Sequence, residues 1–279
     1  MSRFGLVPKV DEPAKFDERD GGVRSMVMTK TARDLYLDLL IKILINTVYE
    51  DPAINPRVRP LAVEPFNPAT RSIGRDWPTQ AHTMVGRTRL ENLRELSQRV
   101  LDDGIAGDFI ETGVWRGGCC ILMRGVLAAN QVTDRKVYVA DSFAGLPAAN
   151  EKAYPADAGW DPRSIKEHLA ISLETVKDNF SRYGLLDEQV VFVRGLFSDT
   201  LPSLSAGPFA LLRLDGDMYE STHVALESLY PKLSPGGFIV IDDYSLTPCK
   251  LAVADFRTRM GITAPLHEVD WTGIWWRKE

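Results

Sequence analysis

The chain has 279 residues, a formal net charge of −5, 44% hydrophobic and 25% charged residues. That length and composition suffice to bury a sizeable core, which excludes a fibrous chain or a small scaffold dependent on staples. The acidic balance and the lack of a dense Lys/Arg cluster argue against nucleic acid as a partner, and no run reaches the roughly 20 apolar residues that span a bilayer.

Residues 1–30 are polar, with charges throughout and no apolar h-region. They are expected to be a mobile arm with no signal peptide, which places the protein in the cytoplasm. Cys119, Cys120 and Cys249 have neither a zinc spacing nor the pairing of a disulfide framework, and suit small buried residues in a reducing compartment. The segment TARDLYLDLLIKILINTVY, 31–49, is a helix candidate whose apolar residues wrap most of its circumference. It must be covered on several sides, either by its own domain or by a partner copy. Residues 50–80 are proline-rich and aperiodic, and are expected to be loop. Helical spacing returns over 83–103 through Met84, Leu90, Leu93, Leu96 and Val100. Residues 31–104 therefore read as a helical cap or dimerisation region preceding a core over 105–279.

Within 105–279, short apolar strand candidates at 108–112, 136–140, 190–194, 209–214 and 237–241 alternate with helix candidates at 118–129, 173–183 and 218–233. That alternation predicts an α/β parallel sheet covered by helices on both sides. A further helix at 249–260 precedes strand candidates at 266–269 and 273–277. These last two are too close for a crossover helix, so they form a hairpin with one strand antiparallel. A seven-stranded sheet ending in such a hairpin is the Rossmann-like fold of S-adenosylmethionine methyltransferases, here with an N-terminal helical extension.

Two sets of residues carry the chemistry. The stretch GDFIETGVWRGG, 107–118, is a strand, a glycine turn and a helix start, spaced neither as G-x-G-x-x-G nor as a phosphate-binding loop. Ligands of such sheets lie beyond the carboxyl ends of the strands. Thr112, Gly113, Trp115 and Gly117 are therefore candidate cofactor contacts. Glu111 is placed to accept from a methionine ammonium, where a pyrophosphate would be repelled. Asp141, at the end of the second strand, suits ribose hydroxyls. Ser142 follows it, and Phe143, Leu196 and Phe197 are candidates for walling an adenine ring or for the core.

The fourth strand ends in Asp215-Gly-Asp217 and the fifth in Asp242-Asp243. Four carboxylates at neighbouring strand ends repel one another unless a cation intervenes. All-oxygen donors suit Mg²⁺, Mn²⁺ or Ca²⁺ better than zinc. Asp215, Asp242 and Asp243 are the expected ligands, with Asp217 as general base; Asp217 also suits an N-cap for the following helix. His82 is another candidate proton acceptor, while His223 reads as structural. The loop 147–169, containing Pro155, Trp160 and Pro162, suits a lid over the acceptor.

The stretches LYLDLLIKILINTVYEDP (35–52), DWPTQAHTMVGRTRLENL (76–93), GDFIETGVWRGG, VADSFAGLP (139–147), NFSRYGLLDEQVVFVRGLFSDTLP (179–202), LRLDGDMYESTHVALESLYPKLSPGGFIVIDDY (212–244) and the terminal TGIWWR resemble the macrocin O-methyltransferases. These methylate sugar hydroxyls of macrolide and aminocoumarin antibiotics. The resemblance implies S-adenosylmethionine and Mg²⁺ as cofactors, a small-molecule glycoside as acceptor, and the same roles for Asp215, Asp242, Asp243 and Asp217. It further implies cofactor contacts from Thr83, Met84 and Ser172, and a homodimer in which the 31–49 helix and the arm cover the partner's site. A catechol-type methyltransferase acting on an aromatic diol is the close alternative, favoured if a lysine serves as base. A nucleotide-dependent oxidoreductase is disfavoured by the missing dinucleotide-binding glycine pattern, and a non-catalytic module by the intact set of acids.

Overall fold

The computed structural model describes residues 30–56, 58, 62–159 and 166–279. Apart from Lys30, the expected arm lies outside them, as do Trp160 and Pro162 of the expected lid. Helix α1 (Ala32–Leu44) starts at a capping box: Thr31 Oγ1 accepts from the Asp34 N–H at 3.1 Å, and the Asp34 carboxylate accepts in return from the Thr31 N–H at 3.1 Å. Leu37, Leu40, Ile41 and Leu44 are buried in the core of the chain itself, whereas Leu35 and Leu39 stay 58% and 51% exposed. The helix ends before the expected residue 49 because Asn46 and Glu50 turn the backbone to φ 51° and 56°.

Residues 50–80 are not loop throughout. They form a three-stranded antiparallel sheet of β1 (Ala53–Asn55), β2 (Ala62–Glu64) and β3 (Trp77–Pro78), in the order β2–β1–β3, with α2 (Pro68–Ser72) between β2 and β3. Strands of two or three residues carry no readable periodicity. What holds them is a buried ionic node. Arg71 Nη1 donates to Asp51 Oδ1 at 2.7 Å and to the Ile45 carbonyl at 2.8 Å, and its Nε donates to Asp76 at 2.7 Å. Asp51 in turn accepts from the Gln80 and Ala81 amides at 2.6 and 3.2 Å.

Helix α3 (Arg87–Asp102) begins four residues later than its spacing suggested. Residues 81–85 instead run irregularly past the start of α4 (Gly118–Ala129), where the Gly118 N–H donates to the His82 carbonyl at 3.0 Å. A Cβ on Gly118 would lie 2.5 Å from that oxygen. This close pass carries Thr83 and Met84 to the helix start, and a helical reading of 83–103 hides it.

The main sheet contains β4 (Asp108–Thr112), β5 (Val137–Asp141), β6 (Val190–Arg194), β7 (Phe209–Leu214), β8 (Leu233–Ile241), β9 (His267–Glu268) and β10 (Ile274–Arg277). Its order is β6–β5–β4–β7–β8–β10–β9. The β4–β5, β5–β6, β4–β7 and β7–β8 pairs are parallel, and β10 runs antiparallel to both β8 and β9. This is the α/β architecture with a terminal antiparallel hairpin expected above. The connecting helices are α5 (Lys166–Leu169), α6 (Leu173–Arg182), α7 (Phe197–Thr200), α8 (Tyr219–Leu229) and α9 (Thr247–Arg259). A 3₁₀ turn holding Pro231 ends α8 short of the expected 233.

Alternate strand residues sort into two cores: Phe109, Leu211 and Val240 on the face of α1, α3 and α4, and Ile110, Leu212 and Ile239 on the face of α8 and α9. The order of strands reverses at β4 and β7, which opens a crevice at their carboxyl ends. No helix among the described residues is long and apolar enough to cross a membrane.

Arg71→Leu leaves Asp51 and Asp76 without their cation and should cost about 3–5 kcal/mol in urea unfolding; a loss under 1 kcal/mol would mean the node is not structural. Burial, with Arg116 and Arg182 nearby, pushes His82 from its ordinary 6.5 down to about 4. The unfolded chain therefore takes up this proton first as pH falls. The associated stability is intact above pH 6.5 and should be lost between 6.5 and 4, by up to about 3 kcal/mol. Urea titrations at both ends of that window, with His82→Gln as reference, measure it; equal losses in both proteins would refute the assignment.

Candidate active site

The crevice is a cavity of about 870 Å³. Its floor is made by the carboxyl ends of β4, β5, β7 and β8. One contact fixes the two central strands: the Asp215 N–H donates to the Thr112 carbonyl at 2.9 Å. Gly113, at φ 82°, turns directly over β7, where a Cβ would lie 1.7 Å from the Asp215 carbonyl oxygen. Only glycine fits there.

In the parallel register Glu111 stands beside Arg213, whose guanidinium organises the floor. Its Nη1 contacts Glu111 and donates to Asp215 Oδ2 at 2.8 Å, and its Nη2 contacts Asp242. A second arginine, Arg89 on α3, reaches the other oxygen of Asp242 at 2.5 Å and Asp270 at 3.0 Å. Cys120 Sγ donates to Glu111 at 2.7 Å. The cation expected to relieve the acids is thus supplied in part by the protein.

It is supplied only in part. Glu111, Asp215, Asp217, Asp242 and Asp243 converge on the cavity with Arg89 and Arg213, so carboxylates outnumber guanidiniums. Burial above all, then Asp215 and Asp242, pushes Asp217 up to about 7. Burial raises Glu111 to about 7 against the pull of Arg213. Asp243 is raised well above the ordinary range by burial and by its acidic neighbours, Asp217 first.

One carboxylate oxygen from each of Asp215, Asp242 and Asp243 lies within 4.8 Å of the other two. An all-oxygen triad carrying excess negative charge fits a hard divalent cation. Asp217 stands at the triad's edge with its N–H donating to Asp243 Oδ2 at 3.1 Å, in a left-handed conformation at φ 56°. It does not cap α8. The Tyr219 and Glu220 amides donate instead to Asp157, at 2.7 and 3.0 Å, which leaves the Asp217 side chain to the cavity.

The remaining candidates divide. Thr83, Met84, Glu111, Gly113, Trp115, Asp141, Ser142, Leu196 and Phe197 line the same cavity as the acids. Asp141 is half-committed to its own turn, accepting from the Val114 and Phe143 amides at 2.8 and 2.7 Å. Thr112, Gly117, Phe143 and Ser172 are not among the lining residues. Thr112 is buried in β4, and Gly117 backs onto Val176. Phe143 packs towards Phe192, ring centroids 6.4 Å apart. Ser172 caps α6, accepting from the Thr175 N–H at 3.1 Å. His82 and His223 also stand outside the lining: His82 bonds Tyr183 Oη at 2.6 Å, and His223 stacks on Tyr219.

Arg213, Arg89 and Asp157 were missed from sequence. Arg213 carried a usable signal, being a lone charge in an otherwise apolar strand that is buried on both faces. Arg89 and Asp157 act across 153 and 62 residues of chain and carried none.

The chain matches the model of the macrocin-O-methyltransferase (TylF) family over residues 33–278. It is 52% identical over 250 residues to the 8-demethyl-8-(2,3-dimethoxy-alpha-L-rhamnosyl)-tetracenomycin-C 4'-O-methyltransferase of Streptomyces olivaceus, spanning 90% of this chain and 95% of that one. It is 47% identical over 251 residues to the demethyldecarbamoylnovobiocin O-methyltransferase of Streptomyces niveus, spanning 90% and 95%. With the mycinamicin III 3''-O-methyltransferase of Micromonospora griseorubida the identity is also 47% over 251 residues, spanning 89% and 98%. Among solved structures, the O-methyltransferase NovP superposes with a TM-score of 0.83 at 47% identity, covering 88% of this chain and 99% of that one. The protein therefore belongs to the macrocin-O-methyltransferase family and is an O-methyltransferase.

Proposed function

We propose that the protein transfers a methyl group from S-adenosylmethionine to a sugar hydroxyl of a glycosylated antibiotic, with Mg²⁺ held by Asp215, Asp242 and Asp243. The observation that carries this reading is the convergence of the acid triad and Asp217 on the cavity lined by the glycine turn. It is joined to the activities of three relatives, which act on a rhamnosyl-tetracenomycin, demethyldecarbamoylnovobiocin and mycinamicin III.

In this reading Glu111, Gly113, Trp115, Asp141 and Ser142, with Thr83 and Met84 at the start of α4, bind the cofactor, and Leu196 and Phe197 offer it an apolar wall. Thr112, Gly117, Phe143 and Ser172 act from behind these, by shaping the turn, the helix start and the walls. When bound, the metal ion supplies Lewis acidity that lowers the pKa of a coordinated hydroxyl. Asp217 takes the hydroxyl proton as the new C–O bond forms and the S–CH₃ bond breaks, leaving a neutral thioether, S-adenosylhomocysteine. Glu111 and Arg213 keep the floor polar and fixed while the mouth holds the acceptor in line. The lining contains no lysine among the described residues, which favours the sugar hydroxyl over an aromatic diol handled by a lysine base. The exposed Leu35 and Leu39 of α1 support a homodimer formed by the helical region.

Methyl transfer from labelled S-adenosylmethionine to a panel of demethylated glycosides should fall to background in EDTA and return with Mg²⁺; full rate after complete metal removal would rule out the metal-assisted route. Asp217→Asn should bind cofactor with unchanged affinity by calorimetry yet lose turnover by about 10²-fold or more. A variant within threefold of the parent rate would remove Asp217 from the proton transfer.

A further inference from the structure

The cavity is walled by the small sheet, through Trp77, by the turn joining β9 to β10, through Trp271, and by the segment 147–159, through Ala148 and Asn150. The last of these does more than enclose space. It folds onto the start of α8, where the ring of Tyr154 packs against Tyr219 and His223 with centroids 6.0 and 6.1 Å away. Directly after Tyr154, a 3₁₀ turn, Pro155–Asp157, delivers Asp157 to the helix end. Asp157 is only 1% exposed. Its Oδ1 accepts from the Tyr219 amide at 2.7 Å and its Oδ2 from the Glu220 amide at 3.0 Å, so both oxygens are committed to α8.

Local chemistry would give those amides to Asp217. An aspartate accepts readily from backbone N–H groups two and three positions ahead of it, which is why it favours turns and helix starts. Tyr219 and Glu220 stand at those two positions. Asp217 is instead held at φ 56° in a tight turn, closed by the Met218 N–H donating to the Gly216 carbonyl at 2.5 Å. Its own N–H is held by Asp243 Oδ2 at 3.1 Å. A capping residue has extended backbone, whereas an aspartate at positive φ is strained. Relaxation therefore favours swinging the Asp217 carboxylate out of the cavity and onto the helix. What opposes this is that Asp157 already occupies both amides.

We propose that Asp157 is a positioning residue for Asp217. By capping α8 from a remote segment, it denies the helix to the Asp217 carboxylate and leaves that carboxylate beside the acid triad. Asp157 belongs to a wall of the cavity, so the base is in place only while that wall is seated on α8. This inference rests on the reading of Asp217 as general base and deepens it.

The test is a double-mutant cycle on the full chain with S-adenosylmethionine, Mg²⁺ and the fastest acceptor of the glycoside panel above. Asp157→Ala should lower kcat about tenfold, while the acceptor KM moves less than about threefold and calorimetry finds cofactor affinity unchanged. In the Asp217→Asn background the same change should lower kcat less than about twofold, because no base remains to be positioned. Asp157→Asn keeps one acceptor oxygen on the helix. It should lose only about threefold in the parent and nothing measurable in the Asp217→Asn background, which keeps the test decisive if the alanine variant folds poorly. A crystal structure of Asp157→Ala should show an Asp217 oxygen bonded to the Tyr219 or Glu220 amide.

Equal fractional losses in both backgrounds, or an Asp217 carboxylate still beside the triad in that crystal, would overturn the inference and reduce Asp157 to a support for the fold. Asp217→Asn at near-parental rate, with Asp217 found on the helix amides in Asp157→Ala, would instead sink the base reading and leave the competition for α8 standing.

Discussion

Arg213 is the constraint on which the rest of the site depends. It sits in a strand otherwise made of apolar residues, buried on every side, and reaches acids on β4, β7 and the end of β8. A buried charge of this kind is tolerable only with well-placed partners. Its partners here are Glu111 and two acids of the carboxylate triad, Asp215 and Asp242. The same guanidinium that makes Glu111 acceptable in the sheet orients Asp215 and Asp242 towards the triad. Arg89 completes the arrangement from α3, tying Asp242 to Asp270 and so joining the helical region to the terminal hairpin.

Around that charge network the backbone is bent at a few positions. Trp115, Phe143 and Asp217, none of them glycine, adopt φ of 48°, 54° and 56°. Each follows the end of a sheet strand by only a few residues. Strain of this sort persists where the surroundings over-determine it. Here the surroundings are the Asp141 carboxylate, which gathers two turn amides, and Asp243, which holds the Asp217 amide. Acidic side chains therefore stabilise the turns as well as facing the cavity.

Much of this was legible in the sequence. Short apolar strands with acids at their carboxyl ends identified the sheet, its hairpin and the Asp215, Asp242 and Asp243 cluster, because alternation and strand-end placement are local properties. Residues 50–80 were not legible, since β1, β2 and β3 are too short to show a period and depend on Arg71, a tertiary contact. For Asp217 the sequence offered a general base and also a helix cap, and it could not show that the cap is Asp157, which lies far back in the chain. Phe143 read either as an adenine wall or as core, and it packs towards Phe192. For residues 50–80 and for the cap of α8 the deciding partner was remote, which no local pattern reports.

Floor and mouth are built by different means. The floor is backbone against backbone, with no room for a side chain at Gly113 and with charges shared across three strands, so it resists any single substitution. The mouth is made of side chains on two-residue and three-residue strands and on a hairpin turn, anchored from behind by Arg71 and Asp270. Surface residues on so firm a mounting can change without disturbing what lies beneath. A lineage with this architecture can exchange the molecules it accepts while its chemistry stands still.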